Sequence, residues 1–159
     1  MKRTKLSILA LLAVTTLTLP ALLLAQKESE IQSVRADLQA DRQAVVAANL
    51  PMTEAESAAF WPVYREYRAE MAVVGDGLQK LITDYAATYN KSAMTDEQGM
   101  MMTKEYLKLR KESLSIREKY VGKFGKIIPG KSVMRLYQVE NKLDVVVDAS
   151  LAGNIPLAE

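Results

Sequence analysis

Residues 60–85 read FWPVYREYRAEMAVVGDGLQKLITDY, and their apolar side chains recur at alternating steps of four and three residues. A 3.5-residue repeat is typical of an α-helix that packs along a neighbouring helix over a long seam. The seam positions are Phe60, Tyr64, Tyr67, Met71, Val74, Leu78, Leu81 and Tyr85. We therefore predict a long helix from Thr53 onward, kinked or curved at Pro62 and loosened at Gly75-Asp76-Gly77.

Helical spacing continues on both sides of this helix, and β-type alternation is not sustained anywhere in the sequence. A shorter first helix is predicted from about Ser29 to Ala48, where Pro51 stops it. Its apolar face is expected to hold Ile31, Val34, Leu38 and Val45.

A third helix is predicted after Asn90-Lys91-Ser92, ending at Pro129-Gly130, and a shorter fourth helix from about Lys131 to Ala152. The third carries one stripe of Met102, Tyr106, Leu109, Ser113, Ile116, Tyr120 and Ile127, flanked by Leu107, Leu114, Val121 and Phe124. The fourth is expected to bury Val133, Leu136, Leu143, Val147 and Leu151.

The predicted fold class is all-α, with more than about 65% helix and no sheet. Helices two and three would each be about 45 Å long at 1.5 Å per residue. Joined by a short loop, they are expected to form a long antiparallel hairpin against which the two shorter helices pack.

The first 25 residues have the pattern of an export signal. Lys2, Arg3 and Lys5 precede an uncharged apolar run, and charged sequence begins at Gln26-Lys27-Glu28. We predict a signal peptide of residues 1–25 and a periplasmic mature chain, residues 26–159, forming a single all-helical domain. A retained apolar run would instead anchor the protein in the inner membrane.

Charge and composition exclude several function classes. Without the signal, 18 Lys and Arg face 19 Asp and Glu, so the mature chain is slightly acidic and no nucleic-acid partner is expected. The chain has no Cys and no His. Disulfides, the commonest metal ligands and the usual general base near neutral pH are therefore missing.

Two predicted helix starts share one pattern. They are Pro51-Met52-Thr53-Glu54-Ala55-Glu56 and Ala93-Met94-Thr95-Asp96-Glu97-Gln98. In each, the threonine hydroxyl can accept from the backbone three residues on, while Glu56 or Gln98 accepts from the threonine N–H. Both are predicted to be capping boxes.

As a pair, these motifs resemble the two LTxxQ motifs of the periplasmic Spy/CpxP family. Met52 and Met94 replace the leucine, and Glu56 replaces the first glutamine. The resemblance implies a small helical envelope protein that acts as an ATP-independent chaperone or a stress-signalling modulator. It also implies an intertwined dimer with a concave face.

We expect no enzyme activity and no cofactor. No Ser-x-x-Lys pair occurs, and Gly75-Asp76-Gly77 does not follow a strand as a phosphate loop would. Glu66 and Glu70 are four residues apart, but the Glu-x-x-His element of di-iron bundles cannot form without histidine. Solvated charge beside Arg65 and Arg68 is the preferred interpretation of these acids.

Metal sensing is disfavoured as well. Met100-Met101-Met102 offers three thioethers, which attract Cu(I). Consecutive helical residues point about 100° apart and cannot converge on one ion. We expect Met101 and Met102 to fill the core instead.

A partner-binding surface is predicted from charge and aromatic clustering. Residues 104–135 hold ten Lys and Arg against Glu105, Glu112 and Glu118, which are expected to pair with part of them. Near the start of helix two, Phe60 and Trp61 cannot both be fully buried on one face. The candidate partner-binding residues are Trp61, Tyr64, Arg110, Lys111, Arg117, Lys119, Lys123, Lys126 and Arg135.

The predicted function is non-enzymatic, chaperone-like binding of unfolded or stress-associated proteins. The alternative is a regulatory or structural adaptor that docks one envelope partner, such as a sensor domain. A homodimer is also expected, because two long apolar stripes covered by only two shorter helices would leave apolar surface on a monomer.

Export predicts a defined mature mass. Envelope fractions from expressing cells should contain a species that begins at Gln26, detected by intact-mass spectrometry. A species that keeps residues 1–25 in the inner membrane would instead support the anchor.

Overall fold

The computed structural model describes residues 41–89 and 94–158. Helix accounts for 87% of these residues and no strand occurs among them, which confirms the all-α prediction. The predicted signal peptide, the mature N-terminus, most of the first helix and the Asn90-Lys91-Ser92 turn lie outside the described residues. Helix α1 is described at residues 41–49, and three further helices follow: α2 (Glu54–Tyr89), α3 (Asp96–Phe124) and α4 (Gly130–Asn154). The packing below concerns the compact unit from Val45 to Glu159.

Helix α2 begins at a complete capping box. The Glu56 carboxylate accepts from the Thr53 backbone N–H at 2.8 Å, and the Thr53 hydroxyl accepts from the Glu56 N–H at 3.2 Å. The helix then runs without a break through Pro62 and Gly75-Asp76-Gly77. Pro62 is solvent-exposed. A bend of the axis at Pro62 stays a prediction.

Helix α3 starts at a second capping box and ends earlier than predicted. Gln98 donates its N–H to the Thr95 hydroxyl at 3.2 Å and accepts the Thr95 N–H at 3.0 Å. The helix stops at Phe124 rather than at Pro129-Gly130. A turn takes over there, with the Ile128 N–H donating to the Phe124 carbonyl at 2.9 Å, and it carries Ile128 into the core.

Helices α2 and α3 form the predicted antiparallel hairpin. The rings of Phe60 and Phe124 lie 5.3 Å apart between centroids, and so do those of Tyr67 and Tyr120. Farther along α2, the Ser113 hydroxyl lies 4.0 Å from the Met71 sulfur. Residue numbers thus decrease along α3 as they increase along α2, so the two helices are antiparallel.

Helix α4 lies antiparallel to α3 and is joined to it by polar contacts. Arg117 pairs with Asp144 at 2.8 Å and Arg110 with Asp148 at 3.0 Å. The Tyr137 hydroxyl donates to the backbone carbonyl of Arg117 at 2.6 Å.

The core lies toward one end of the hairpin. Its buried members come from each described helix, from the α1–α2 connection and from the α3–α4 turn: Val46, Leu50, Phe60, Tyr64, Tyr67, Tyr120, Phe124, Ile128, Val133 and Leu136. No residue of α2 beyond Val74, and none of α3 before Leu109, is fully buried.

Several apolar positions differ from the sequence prediction. Val46, not Val45, is buried at the end of α1. On α4, Val147 and Leu151 are exposed rather than buried, and the ion pairs of Asp144 and Asp148 join this part of the helix to α3. Met101, predicted to fill the core, is exposed as well. The 3.6-residue period identifies an apolar face but not where the neighbouring helix ends.

Glu56 should make the free energy of unfolding depend on pH in the acidic range. Hydrogen bonds from the Thr53 backbone N–H and hydroxyl hold the pKa of Glu56 below its usual 4.5. A carboxyl whose pKa is lower in the folded state adds stability above its unfolded-state pKa, and this stability is lost as the pH falls through the folded value. Glu56→Gln should therefore be less acid-sensitive than wild type in urea unfolding below pH 4.5.

Glu54→Gln is the matched control, since it changes the same charge in the same helical turn outside the capping box. Equal acid sensitivity of the two variants would contradict the role of the box.

Candidate functional site

The solvent-facing side of α3 carries a regular apolar line. Met100, Leu107, Leu114 and Val121 follow one another at intervals of seven residues, and their side chains are 59%, 59%, 55% and 48% exposed. At 1.5 Å per residue the line is about 32 Å long. We call these four residues the outer ridge.

Lysines accompany the outer ridge. Lys104, Lys111 and Glu118 fall between its members at helical spacing, and all three are exposed. On the same helix, Leu109, Ser113, Tyr120 and Phe124 are buried. The outer ridge with Lys104 and Lys111 forms what we call the outer face of α3.

Several predicted binding residues are instead tied to neighbouring helices. Beyond the pairs of Arg110 and Arg117 with α4, Lys119 pairs with Glu70 at 2.6 Å and Lys123 with Glu66 at 3.2 Å. On α3's own sequence, Lys108 pairs with Glu105. Much of the local positive charge is therefore compensated within the fold.

Glu66 and Glu70 are solvent-accessible, as the sequence suggested, with side chains 61% and 37% exposed, but each also pairs with a lysine of α3. Both reach across to α3, where Glu70 also accepts from the Tyr120 hydroxyl at 2.8 Å. Hydrogen bonds from Lys119 and then Tyr120 lower the pKa of Glu70. Burial, followed by the bond to Glu70, raises the pKa of Tyr120 to about 12.

The remaining predicted binding residues differ in their solvent exposure. Tyr64 is only 2% exposed, so its prediction as a surface contact is wrong. Trp61 is half-buried, and its indole N–H donates to the Ser57 hydroxyl at 3.0 Å. Lys111, Lys126 and Arg135 are exposed.

A buried carboxylate, missed by the sequence analysis, holds α2 and α4 together. Glu140 is 2% exposed, and it accepts from the Tyr64 hydroxyl at 2.6 Å and from an Arg68 guanidinium nitrogen at 3.0 Å. The sequence does contain a signal for it, because Glu140 is an acid four residues after Leu136 on an otherwise apolar face. Such a residue requires buried partners.

The surroundings of Glu140 are incompletely hydrogen-bonded. Within the described part of the chain, the Arg68 Nε is buried without a hydrogen-bond partner, and the buried Tyr67 hydroxyl lies near the Arg117 guanidinium. Burial, and next the charge of Glu140, raise the pKa of Tyr67. Burial likewise raises the pKa of Tyr137. These groups form a polar centre enclosed by helices rather than an open cleft.

No metal-binding arrangement is found in residues 41–89 and 94–158, where no three acidic side chains converge on one point. None of the helices in these two segments has the length and hydrophobicity needed to cross a lipid bilayer. No family model, no curated protein and no solved structure matches the chain. The resemblance of the capping boxes to LTxxQ motifs stays a prediction.

Glu140 should be essential for stability. Glu140→Leu leaves the Arg68 charge and the Tyr64 hydroxyl without their acceptor, and loss of one partner of a buried pair costs about 3 kcal/mol or more. Glu140→Gln keeps an acceptor for Tyr64 and should cost less. Urea unfolding measures both.

Glu118→Leu is the control, because Glu118 is exposed on α3 and its replacement should change the free energy of unfolding by less than about 0.5 kcal/mol. Equal stabilities of Glu140→Leu and Glu118→Leu would show that the polar centre contributes nothing.

Proposed function

We propose that the protein is a non-enzymatic, ATP-independent envelope protein that binds partly unfolded or stress-associated proteins on the outer face of α3. The observation that carries the proposal is the exposed outer ridge with its accompanying lysines. Leu107 and Leu114 are more than half exposed on a helix whose other side is packed into the core. Apolar surface arranged in this way is typical of an interaction site.

The chemistry of this face suits weak binding that tolerates many sequences. Exposed leucines offer apolar contact without a shaped pocket, so no particular side chain is demanded. Lys104 and Lys111 speed encounter with acidic segments by long-range attraction. The periplasmic location predicted from residues 1–25 and the LTxxQ-like capping boxes support the same role.

A regulatory or structural adaptor is the second candidate, and the regularity of the outer ridge favours it. A seven-residue interval over about 32 Å matches the apolar stripe of a single partner helix. Such a protein would dock one envelope partner, for example a sensor domain, on the same face.

The first test replaces apolar side chains of the outer face. Leu107→Gln/Leu114→Gln should lose most of the wild type's ability to suppress aggregation of several unrelated denatured proteins at near-stoichiometric ratio, measured by light scattering. The matched control, Val145→Gln/Val146→Gln, removes two apolar side chains of α4 that are also more than half exposed, and it should retain suppression. Circular dichroism should show both variants folded.

Failure of the wild-type protein to suppress aggregation of any substrate would overturn the chaperone proposal. One dominant partner captured from envelope extract, lost in Leu107→Gln/Leu114→Gln but kept in the control, would then establish the adaptor.

The second test is electrostatic. Lys104→Glu/Lys111→Glu should weaken suppression more at about 0.01 M salt, where charges act over about 30 Å, than at about 1 M, where they act over about 3 Å. Arg110, Arg117 and Lys123 are unsuitable, because their pairs hold α4 and α2. Lys126→Glu/Lys131→Glu makes the same charge change away from the outer face and should have a smaller effect; an equal effect would argue against a localised site.

A further inference from the structure

A second feature, separate from the outer face of α3, lies at the end of the hairpin away from the core. A cleft of about 320 Å³ opens between the last turns of α2, the first turns of α3 and the segment after α4. Its walls include Leu81 and Ile82 from α2, Met102 and Tyr106 from α3, and Ile155.

The side-chain hydroxyls in these walls are already hydrogen-bonded. The Tyr85 hydroxyl donates to the Pro156 carbonyl at 2.9 Å, and the Thr103 hydroxyl donates to the Gly99 carbonyl at 2.9 Å. The Tyr106 hydroxyl accepts from Arg110 Nε at 3.0 Å. The cleft therefore offers an occupant apolar contact but few polar anchors.

The size of the cleft restricts its occupant. Its volume is at the lower end of the range for small-molecule sites, about 300–1,000 Å³. A helix with its side chains is about 10 Å across and would not fit. A single flexible hydrocarbon chain satisfies both the volume and the apolar lining.

One cation stands beside this apolar space. The Arg110 guanidinium lies 5.3 Å from the centre of the Tyr106 ring, which is one wall of the cleft. Its side chain is 44% exposed and pairs with Asp148, which is 49% exposed. An anionic group at the edge of the cleft would therefore meet an accessible positive charge.

We propose that this cleft binds one single-chain amphiphile with a carboxylate head, of the fatty-acid class. The hydrocarbon chain occupies the space between α2, α3 and Ile155. The carboxylate lies at Arg110, where it competes with Asp148 for the guanidinium. The occupant is a free molecule rather than a lipid in a bilayer, because the cleft admits one chain.

Gly99 provides the sharpest test of the chain site. Gly99 lines the cleft, and a Cβ added there meets no atom within 4 Å. Gly99→Leu should therefore fill the cleft while improving the helix, since glycine is a poor helix former. We expect dodecanoate, titrated calorimetrically below its micelle concentration, to bind wild type at one site and to bind Gly99→Leu at least about tenfold more weakly.

Gly122→Leu is the matched control. Gly122 lies on the same helix, far along α3 from the cleft, and a Cβ there also meets no atom within 4 Å. This variant should gain the same helix preference and keep wild-type affinity. Neither variant should have a lower thermal midpoint than wild type, so that lost binding in Gly99→Leu cannot be attributed to unfolding.

The head-group site is tested by two variants with opposite expected signs. Arg110→Gln should weaken dodecanoate binding about threefold to tenfold, whereas Asp148→Asn frees the guanidinium and should strengthen it. Decanol, which has no charge, should bind both variants like wild type. A purely structural role of the ion pair would move both variants in the same direction.

Four outcomes would overturn the proposal. The first is no dodecanoate binding to the wild-type protein, and the second is equal binding to Gly99→Leu and Gly122→Leu. The third is binding to anionic lipid vesicles that matches dodecanoate binding and is unaffected by Gly99→Leu, since this would indicate a surface rather than a cleft. The fourth is displacement of dodecanoate by an apolar client peptide, with no effect of Arg110→Gln, since this would assign the cleft to clients instead.

Discussion

The packing of aromatic rings between α2 and α3 is the interaction on which the rest of the fold depends. Phe60, Tyr64, Tyr67, Tyr120 and Phe124 form a continuous set with centroid separations of 5.3 to 6.2 Å. Aromatic pairs of this kind add about 0.5–1.5 kcal/mol each beyond the burial of their area. Val46, Leu50 and Leu136 pack on this set, so the end of α1 and the start of α4 are positioned by it. A chain without cysteine has no disulfide to replace this packing.

The basic side chains of α3 have two different roles. Arg110, Arg117, Lys119 and Lys123 pair with acids of α4 and α2, and these pairs join three helices whose fully buried apolar core lies toward one end. Lys104 and Lys111 point away from these partners, between the members of the outer ridge. The same residue type thus serves assembly on one side of the helix and, in our proposal, recognition on the other.

The sequence predicted the helices well because their apolar spacing persists over many turns and requires a neighbour alongside. Both capping boxes could likewise be predicted from the sequence, since a threonine and the residue three positions later are local partners. The exposure and pairing of individual side chains were harder to predict. Whether Tyr64 is a contact or a core residue depends on Glu140, which lies 76 residues away. The pairing of Lys119 with Glu70 depends on the register of α2 against α3, which periodicity does not specify.

The core ends long before the hairpin does. Beyond Val74 on α2 and before Leu109 on α3, the two helices are joined by half-buried side chains only. Segments with little buried apolar area open locally at a lower free energy than the rest of a domain. Amide protons in the distal half of the hairpin should therefore exchange with solvent through small local openings, while those near Phe60 and Phe124 exchange only through global unfolding. The cleft and the first half of the outer ridge both lie in this distal half of the hairpin. Binding there would therefore also suppress local opening, and the cost of ordering the helices would reduce the affinity gained from contact.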